Sequence, residues 1–254
     1  MIADLLAHHS ARALVLLVAA AFVASLARGF SGFGGALIFV PLASAAVGPQ
    51  AAAPILLMID GIAQLALLKN AWRQANRREV GIMAAGALVG IPLGAAILAY
   101  VDATTLRWAI VVLVVAMLAL LISGWRYHGQ PNVPTTLGVG FSAGILSGAV
   151  QTAGPPVVAY WLGGSNSALT VRANIILFFF CTSVVASVSY LVTGLLGLDV
   201  LLLSALTVPG YALGMFLGTR MFGLASDAMF RRVCFVLIAA AALVSLPVFD
   251  SLLH

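Results

Sequence analysis

Among the charged residues inside the long apolar stretches of the sequence, Arg172 and Asp60 are the two that could take part in chemistry. Arg172 comes near the start of the stretch Leu169–Val192 and is followed by Asn174. An arginine can hold an oxyanion through two parallel hydrogen bonds, so we predict that Arg172 and Asn174 bind an anionic substrate. The alternative is that Arg172 anchors its segment at a membrane surface.

The second charged residue is Asp60, midway along the stretch Ala51–Leu68. Desolvation favours the neutral form of a carboxyl group, so an acid in this position could carry a proton. Gln64 follows one helical turn later on the same face. We predict that Asp60 and Gln64 couple transport to an ion gradient. The alternative is that Asp60 is a structural partner of an arginine.

A glycine-rich segment, RGFSGFGG at residues 28–35, holds four glycines in seven residues. Each glycine costs about 1 kcal/mol relative to alanine inside a helix, so the backbone is predicted to unwind here. Its polar groups and free peptide N–H groups could then contact a ligand. The predicted substrate-binding residues are Ser31, Gly32, Phe33, Gly34 and Gly35.

A second break is predicted in GAVQTAGPP, residues 148–156. Proline suits the first turn of a helix, so Pro155 and Pro156 mark a helix that begins inside the protein. Non-helical backbone at membrane depth must be surrounded by protein or line a water-filled cavity, and helix N-termini facing such a cavity suit an anion. The alternative is a pair of hinges with no ligand. The predicted substrate-binding residues are Gln151, Thr152, Gly154 and Pro155.

Composition identifies the solvent of these segments. Apolar residues make up 63% of the 254 residues and charged residues only 7%, with a mean hydropathy of +1.16. A soluble domain carries about 25% charged residues. The chain is therefore predicted to be an all-α polytopic membrane protein, and nucleic-acid binding is excluded.

The apolar stretches are predicted to form two repeats, residues 1–124 and 135–254, joined by a connecting loop at 125–134. Gly86, Gly90 and Gly94 recur as Gly210, Gly214 and Gly218, 124 residues later. These spacings predict close helix packing rather than chemistry. The predicted segments are Ala13–Ala27, Phe33–Val47, Ala51–Leu68, Val80–Tyr100, Leu106–Gly124, Thr135–Val150, Ala153–Leu162, Leu169–Val192, Leu198–Thr219 and Phe230–Leu246.

Loop charge predicts the orientation of the repeats. Lys69, Arg73, Arg77 and Arg78 follow the third segment, so the loop at Lys69–Arg78 is predicted to be cytoplasmic. Five crossings per half keep Arg220 to Arg232 on the same side and make the repeats inverted, with broken helices at the midplane. Whether the short segments 33–47 and 153–162 cross fully or re-enter stays open.

The segments GFSGFGGALIFVPL and GAVQTAGPPVVAYWL, in tandem, resemble those of the TauE/SafE sulfite exporter family of membrane permeases. The resemblance implies a secondary transporter in a bacterial inner membrane, a permease or an exporter. It also implies a small anionic substrate, such as sulfite, an organosulfonate or a C2 carboxylate, with protons or sodium ions as coupling ions. The first motif departs from the family's commoner GxGGG form at Phe33.

Other function classes have less support in the residues. His8, His9, His128 and His254 all lie outside the apolar segments, so no metal, no cofactor and no enzyme activity is predicted. An anion channel and a non-transporting scaffold stay open as alternatives. The sequence leaves the oligomeric state undetermined.

Overall fold

The computed structural model describes residues 9–31, 34–129, 132–164, 166–221 and 227–249, and these ranges contain helices and no strand. The all-α fold predicted from composition is confirmed. The α-helices are α1 (Ala11–Ser31), α2 (Gly35–Val47), α3 (Pro49–Gln74), α4 (Arg77–Tyr100), α5 (Ala103–Ser123), α6 (Val133–Val150), α7 (Gly154–Leu162), α8 (Ala168–Val192), α9 (Leu198–Met221) and α10 (Asp227–Val244), followed by a single 3₁₀ turn at Pro247–Phe249.

Among the described residues, six helices are long and apolar enough to cross a membrane: α1, α4, α5, α6, α8 and α9. The helices that follow the two predicted breaks are shorter. The nine residues of α7 reach about 14 Å, less than half of a hydrocarbon core of about 30 Å. The inverted orientation and the count of five crossings per half stay predictions.

The chain forms two compact units, each of which draws on both predicted repeats. The first contains residues 1–59, 101–122 and 195–254, and so α1, α2, α5, α9 and α10. The second contains residues 60–100 and 123–194, and so α4, α6, α7 and α8. Helix α3 passes from the first unit into the second at Asp60.

In the second unit, α4 and α6 pack with their glycines interlocked. A Cβ atom added at Gly86 or Gly90 would overlap the carbonyl oxygen of Leu137 or Phe141 on α6. In the opposite direction, a Cβ added at Gly148 would overlap the carbonyl oxygen of Ile91 on α4. Because lipid cannot drive helices together by the hydrophobic effect, such backbone contact is a main source of attraction. The predicted packing role of this glycine ladder is confirmed.

In the first unit, α1 and α9 pack in the same manner. A Cβ added at Gly218 would overlap the Leu26 carbonyl, and one added at Gly29 would lie 2.6 Å from the Met215 carbonyl oxygen. At the offset of 124 residues α9 corresponds to α4. Helix α1 corresponds to α6 at an offset of 119, since both carry small residues four positions apart, at Ala21, Ser25 and Gly29 and at Gly140, Gly144 and Gly148. The two tight helix pairs are therefore counterparts, as a duplicated chain would produce.

The short helix α7 is held at its C-terminus by the segment that follows α5. The Tyr127 backbone N–H donates to the Ala159 carbonyl over 3.0 Å, and the rings of Tyr127 and Tyr160 lie 5.1 Å apart. Gly163 lies so close to the Tyr127 backbone that a Cβ there would overlap it. These contacts satisfy part of the free C-terminal end of α7 and fix its position.

The four basic residues predicted for a loop all belong to helices. Lys69 and Arg73 lie on the last turns of α3, whereas Arg77 and Arg78 open α4. Residues 75 and 76 alone connect the two helices. The cations therefore have positions set by helix geometry.

The glycine ladder yields a stability prediction. Gly90→Ala should destabilise the protein by about 1–3 kcal/mol, because the added methyl group separates α4 from α6. The measurement is thermal unfolding of the purified protein in detergent. Gly81→Ala on the same helix is the matched control, since a Cβ there meets nothing within 4 Å. Equal unfolding temperatures for the two variants would contradict the packing role.

Candidate functional site

The break between α6 and α7 is narrow and has a strained residue at its start. Helix α6 continues through Val150, and α7 begins at Gly154. Gln151 has φ +56°, the one positive φ of a non-glycine residue in the described ranges. This conformation costs roughly 1–2 kcal/mol, so neighbouring groups must hold it in place.

The hydroxyl group of Tyr190 supports this break. It donates to the Gly148 carbonyl over 2.7 Å and accepts from Gln151 Nε2 over 3.3 Å. Tyr190 is fully buried on α8. A carbonyl released from a helix at membrane depth has no water to bond, so a buried hydroxyl is a suitable partner. Tyr190 therefore positions the peptide that leads into α7.

The helices that follow the two breaks start without a side-chain cap. The N-cap residue is Gly34 for α2 and Ala153 for α7, and neither start has a side-chain hydrogen bond. By contrast, side chains accept hydrogen bonds from the first turns of α1, α4, α5, α6 and α8; the capping residues are Ser10, Asn76, Asp102, Asn132 and Ser167. An uncapped start leaves N–H groups and partial positive charge for another partner.

Two prolines reduce the number of backbone N–H groups at the start of α7. Pro155 and Pro156 occupy its first turn and have no N–H, so Gly154 is the first-turn residue that keeps one. Side chains must therefore supply most of the hydrogen-bond donors at this end of α7.

Three buried donors in this part of the second unit have no hydrogen-bond partner in the described residues: Thr152 Oγ1, Trp161 Nε1 and Asn174 Nδ2. Their residues are 2%, 1% and 0% exposed. A buried polar group without a partner costs about 1–3 kcal/mol, and native proteins contain few of them. Three on neighbouring elements indicate a site that takes a hydrogen-bond acceptor.

Helices α6, α7 and α8 pack on one another, and the three donors lie just before α7, in its last turn and on α8. The ring of Trp161 on α7 meets that of Phe178 on α8 edge to face, with centroids 5.9 Å apart. Phe178 lies one helical turn after Asn174, on the same face of α8. A Cβ added at Gly154 would lie 3.8 Å from Phe179 Cζ.

Asn174 has two separate roles. Its Oδ1 accepts a hydrogen bond of 2.7 Å from the backbone N–H of Asn76, just before α4. The Asn76 side chain in turn donates to Glu79 Oε1 over 2.8 Å, and Asn166 donates to Glu79 Oε2 over 2.8 Å. The carbonyl side of Asn174 is therefore structural, whereas its amide nitrogen is available for a ligand.

The predicted coupling residues form a buried pair on α3. Asp60 and Gln64 are 8% and 7% exposed, and Gln64 Nε2 donates to Asp60 Oδ2 over 3.0 Å. Gln64 Oε1 is buried without a partner in the described residues. The two side chains thus share a face, as predicted.

Other predicted residues lie differently. Arg172 is exposed in the second turn of α8, next to buried residues on either side. Gly34 has φ +89°, and Gly35 starts α2 against the Ala24 carbonyl, where a Cβ would lie 2.9 Å away. Ser31 ends α1, but its side chain is outside what the structure describes, as are Gly32 and Phe33.

Sequence reasoning missed Tyr190 and Asn76 as parts of this region. A tyrosine in the middle of an apolar segment needs a partner for its hydroxyl, so Tyr190 had a readable signal. Asn76 had none, because its partner Asn174 is 98 residues away. Within the described ranges, no three His, Cys, Asp or Glu side chains cluster as metal ligands would.

Removing the Tyr190 hydroxyl should destabilise the break. In Tyr190→Phe the Gly148 carbonyl loses its partner, so we expect a loss of about 1–3 kcal/mol in thermal or denaturant unfolding. Tyr100→Phe is the control, since Tyr100 is 83% exposed. Equal stability of the two variants would show that the Tyr190 hydroxyl does not support the break.

Comparison with known proteins identifies the family of this arrangement of broken helices. The family model described as Sulfite exporter TauE/SafE matches residues 17–245, which is most of the chain. Neither a search of curated proteins nor one of solved structures finds a match. With its six apolar helices, the chain is a multi-pass membrane protein, and it belongs to the TauE/SafE sulfite exporter family of membrane transporters.

Proposed function

We propose that the protein is an ion-coupled secondary transporter of a small anion such as sulfite, an organosulfonate or a C2 carboxylate. The observation that carries the proposal is the set of three buried donors without a partner in the described residues, one just before the uncapped start of α7, one in its last turn and one on α8. A hydroxyl, an indole N–H and an amide NH₂ would all donate to the oxygens of an anion. The family supports transport, and the donors support the sign of the substrate charge.

The donors suit a weakly held, desolvated anion. Hydrogen bonds to a charged group contribute about 1.5–3 kcal/mol each, and the helix dipole adds favourable charge near its N-terminus. Arg172 is exposed, so its guanidinium group is not part of this buried set of donors. Neutral donors bind without a fixed counter-charge, which lets a carrier release its substrate again.

The broken helices favour a carrier, which works by alternating access, over a channel or a scaffold. Broken helices near the midplane are typical of secondary transporters, whereas channels line a pore with rings of carbonyls or charges. An anion channel stays the second candidate. In this proposal the chain is no enzyme, and the break residues bind rather than react.

In the proposed orientation, the connection between α3 and α4 faces the cytoplasm of a bacterial inner membrane. Lys69, Arg73, Arg77 and Arg78 gather at this connection, as the positive-inside rule expects. Reaction of an introduced cysteine at Gln74 with an impermeant thiol reagent, in intact and in opened cells, would report the side.

Flux into proteoliposomes tests the anion site through Thr152→Val. Because Thr152 Oγ1 has no partner in the described residues, the change breaks no known hydrogen bond and should leave the unfolding temperature unchanged or higher. Loss of a hydrogen bond to the anion should raise KM roughly ten- to hundredfold. The substrates to test are sulfite and sulfoacetate, each under imposed proton and sodium gradients.

Thr136→Val is the matched control for this test. Thr136 Oγ1 is hydrogen-bonded to the Tyr160 hydroxyl over 2.6 Å, so the change should lower stability and leave KM unaltered. Saturable, gradient-dependent flux supports the carrier, and ohmic conductance would favour the channel. An unchanged KM in Thr152→Val would remove the break from the anion site.

Asp60→Asn tests the coupling role. The amide preserves the size of the side chain and its ability to accept from Gln64 Nε2, but it cannot take up a proton. We expect gradient-driven accumulation to be lost while exchange of labelled for unlabelled anion continues. Asp199→Asn, at an exposed position in α9, is the control. Full gradient-driven accumulation in Asp60→Asn would show that Asp60 is structural.

A further inference from the structure

A surface groove lies along the last three turns of α3. It encloses about 410 Å³ and is lined by Leu65, Leu68, Lys69, Trp72 and Arg73. These positions follow the spacing of three and four residues that places side chains on one helix face. The groove is therefore a continuous stripe of α3 and belongs to the second unit.

The stripe changes character along the helix axis. Leu65 and Leu68 form its apolar end, and Lys69 and Arg73 form its cationic end. The eight residue steps from Leu65 to Arg73 rise about 12 Å along the helix axis. Leu65 is 58% exposed and Trp72 is 52% exposed, so the surface is open along its length. This order matches a phospholipid, whose acyl chains continue into a charged headgroup.

The positive charge of the groove is reinforced from α4. The Arg77 guanidinium lies over the Trp72 ring, 5.4 Å from its centroid. It is therefore a third cation, after Lys69 and Arg73, in contact with the groove. Glu79 is the only acidic residue between Asp60 and Asp102 in the sequence. Its two carboxylate oxygens accept hydrogen bonds from Asn76 and Asn166. The nearby acid is thus engaged by neutral amides.

We propose that this groove binds the headgroup of an anionic phospholipid. Lys69 and Arg73 bind the phosphate group, Trp72 lies at the level of the headgroups, and Leu65 and Leu68 contact the acyl chain. A free phosphate ion would use the cations but not the apolar end of the groove. The lipid is therefore the occupant that uses all five side chains.

Lipid retention measured by native mass spectrometry tests the site. The full-length protein is delipidated in detergent and titrated with phosphatidylglycerol or with phosphatidylcholine. We expect wild-type protein to retain phosphatidylglycerol preferentially. Lys69→Gln/Arg73→Gln should weaken that retention by roughly thirtyfold, since each cation near an anionic membrane surface strengthens binding about fivefold.

A second double variant keeps the test specific. Arg126→Gln/Arg220→Gln removes the same charge from exposed positions outside the groove and should retain phosphatidylglycerol as wild-type does. Circular dichroism and gel filtration confirm that both variants are folded. Leu68→Asn, which keeps both cations, should weaken retention as well.

Three results would overturn the proposal. The groove variant could keep its preference for phosphatidylglycerol, or the control variant could lose it equally. Alternatively, inorganic phosphate could displace the lipid at equal concentration, which would assign the groove to a free anion. Each of these results is independent of anion flux, so the lipid site and the transport function are tested separately.

Discussion

Backbone hydrogen bonding in a medium without water is the constraint on which this structure depends. Each peptide group at membrane depth must find a partner inside the protein, and continuous helices provide one at every position except their ends. A chain that interrupts its helices inside the membrane must therefore satisfy the released groups by other means. The break between α6 and α7 shows these means in detail, because Tyr190 bonds the Gly148 carbonyl while Gln151 adopts the left-handed conformation.

The same constraint separates polar groups that have a partner inside the protein from polar groups that have none. The side-chain oxygen of Asn174 accepts a hydrogen bond from the backbone just before α4, and the hydroxyl groups of Thr136 and Tyr160 are hydrogen-bonded to each other. On α7, α8 and the α6–α7 connection, the Thr152 hydroxyl, the Trp161 indole and the Asn174 amide nitrogen have no partner in the described residues, and all three are donors. A carrier needs a site that is incomplete without its substrate, since a site already satisfied would gain nothing by binding. In the proposed carrier that site includes Thr152, just before the uncapped start of α7.

Much of this architecture could be predicted from local sequence. Low charge and long apolar stretches predict helices in lipid, and glycine or proline clusters predict where helices stop, because both effects depend on residues within one or two turns. The predicted segments Phe33–Val47 and Ala153–Leu162 begin within two residues of the observed starts of α2 at Gly35 and of α7 at Gly154. The breaks are narrower than predicted, since α1 runs through Arg28 and Gly29. Tertiary packing extends helices across glycines that would weaken them in isolation.

The sequence by itself determined the class of protein, the family pattern, the glycine ladders and the positions of the helix breaks. Only the tertiary structure decided that α4 pairs with α6 and α1 with α9, that Arg172 is exposed, and that the amide nitrogen of Asn174 is buried without a partner in the described residues. The physical reason is the distance along the chain over which each effect acts. Helix propensity and hydropathy act between neighbours, whereas a hydrogen bond such as that from Asn76 to Asn174 depends on where two distant segments meet.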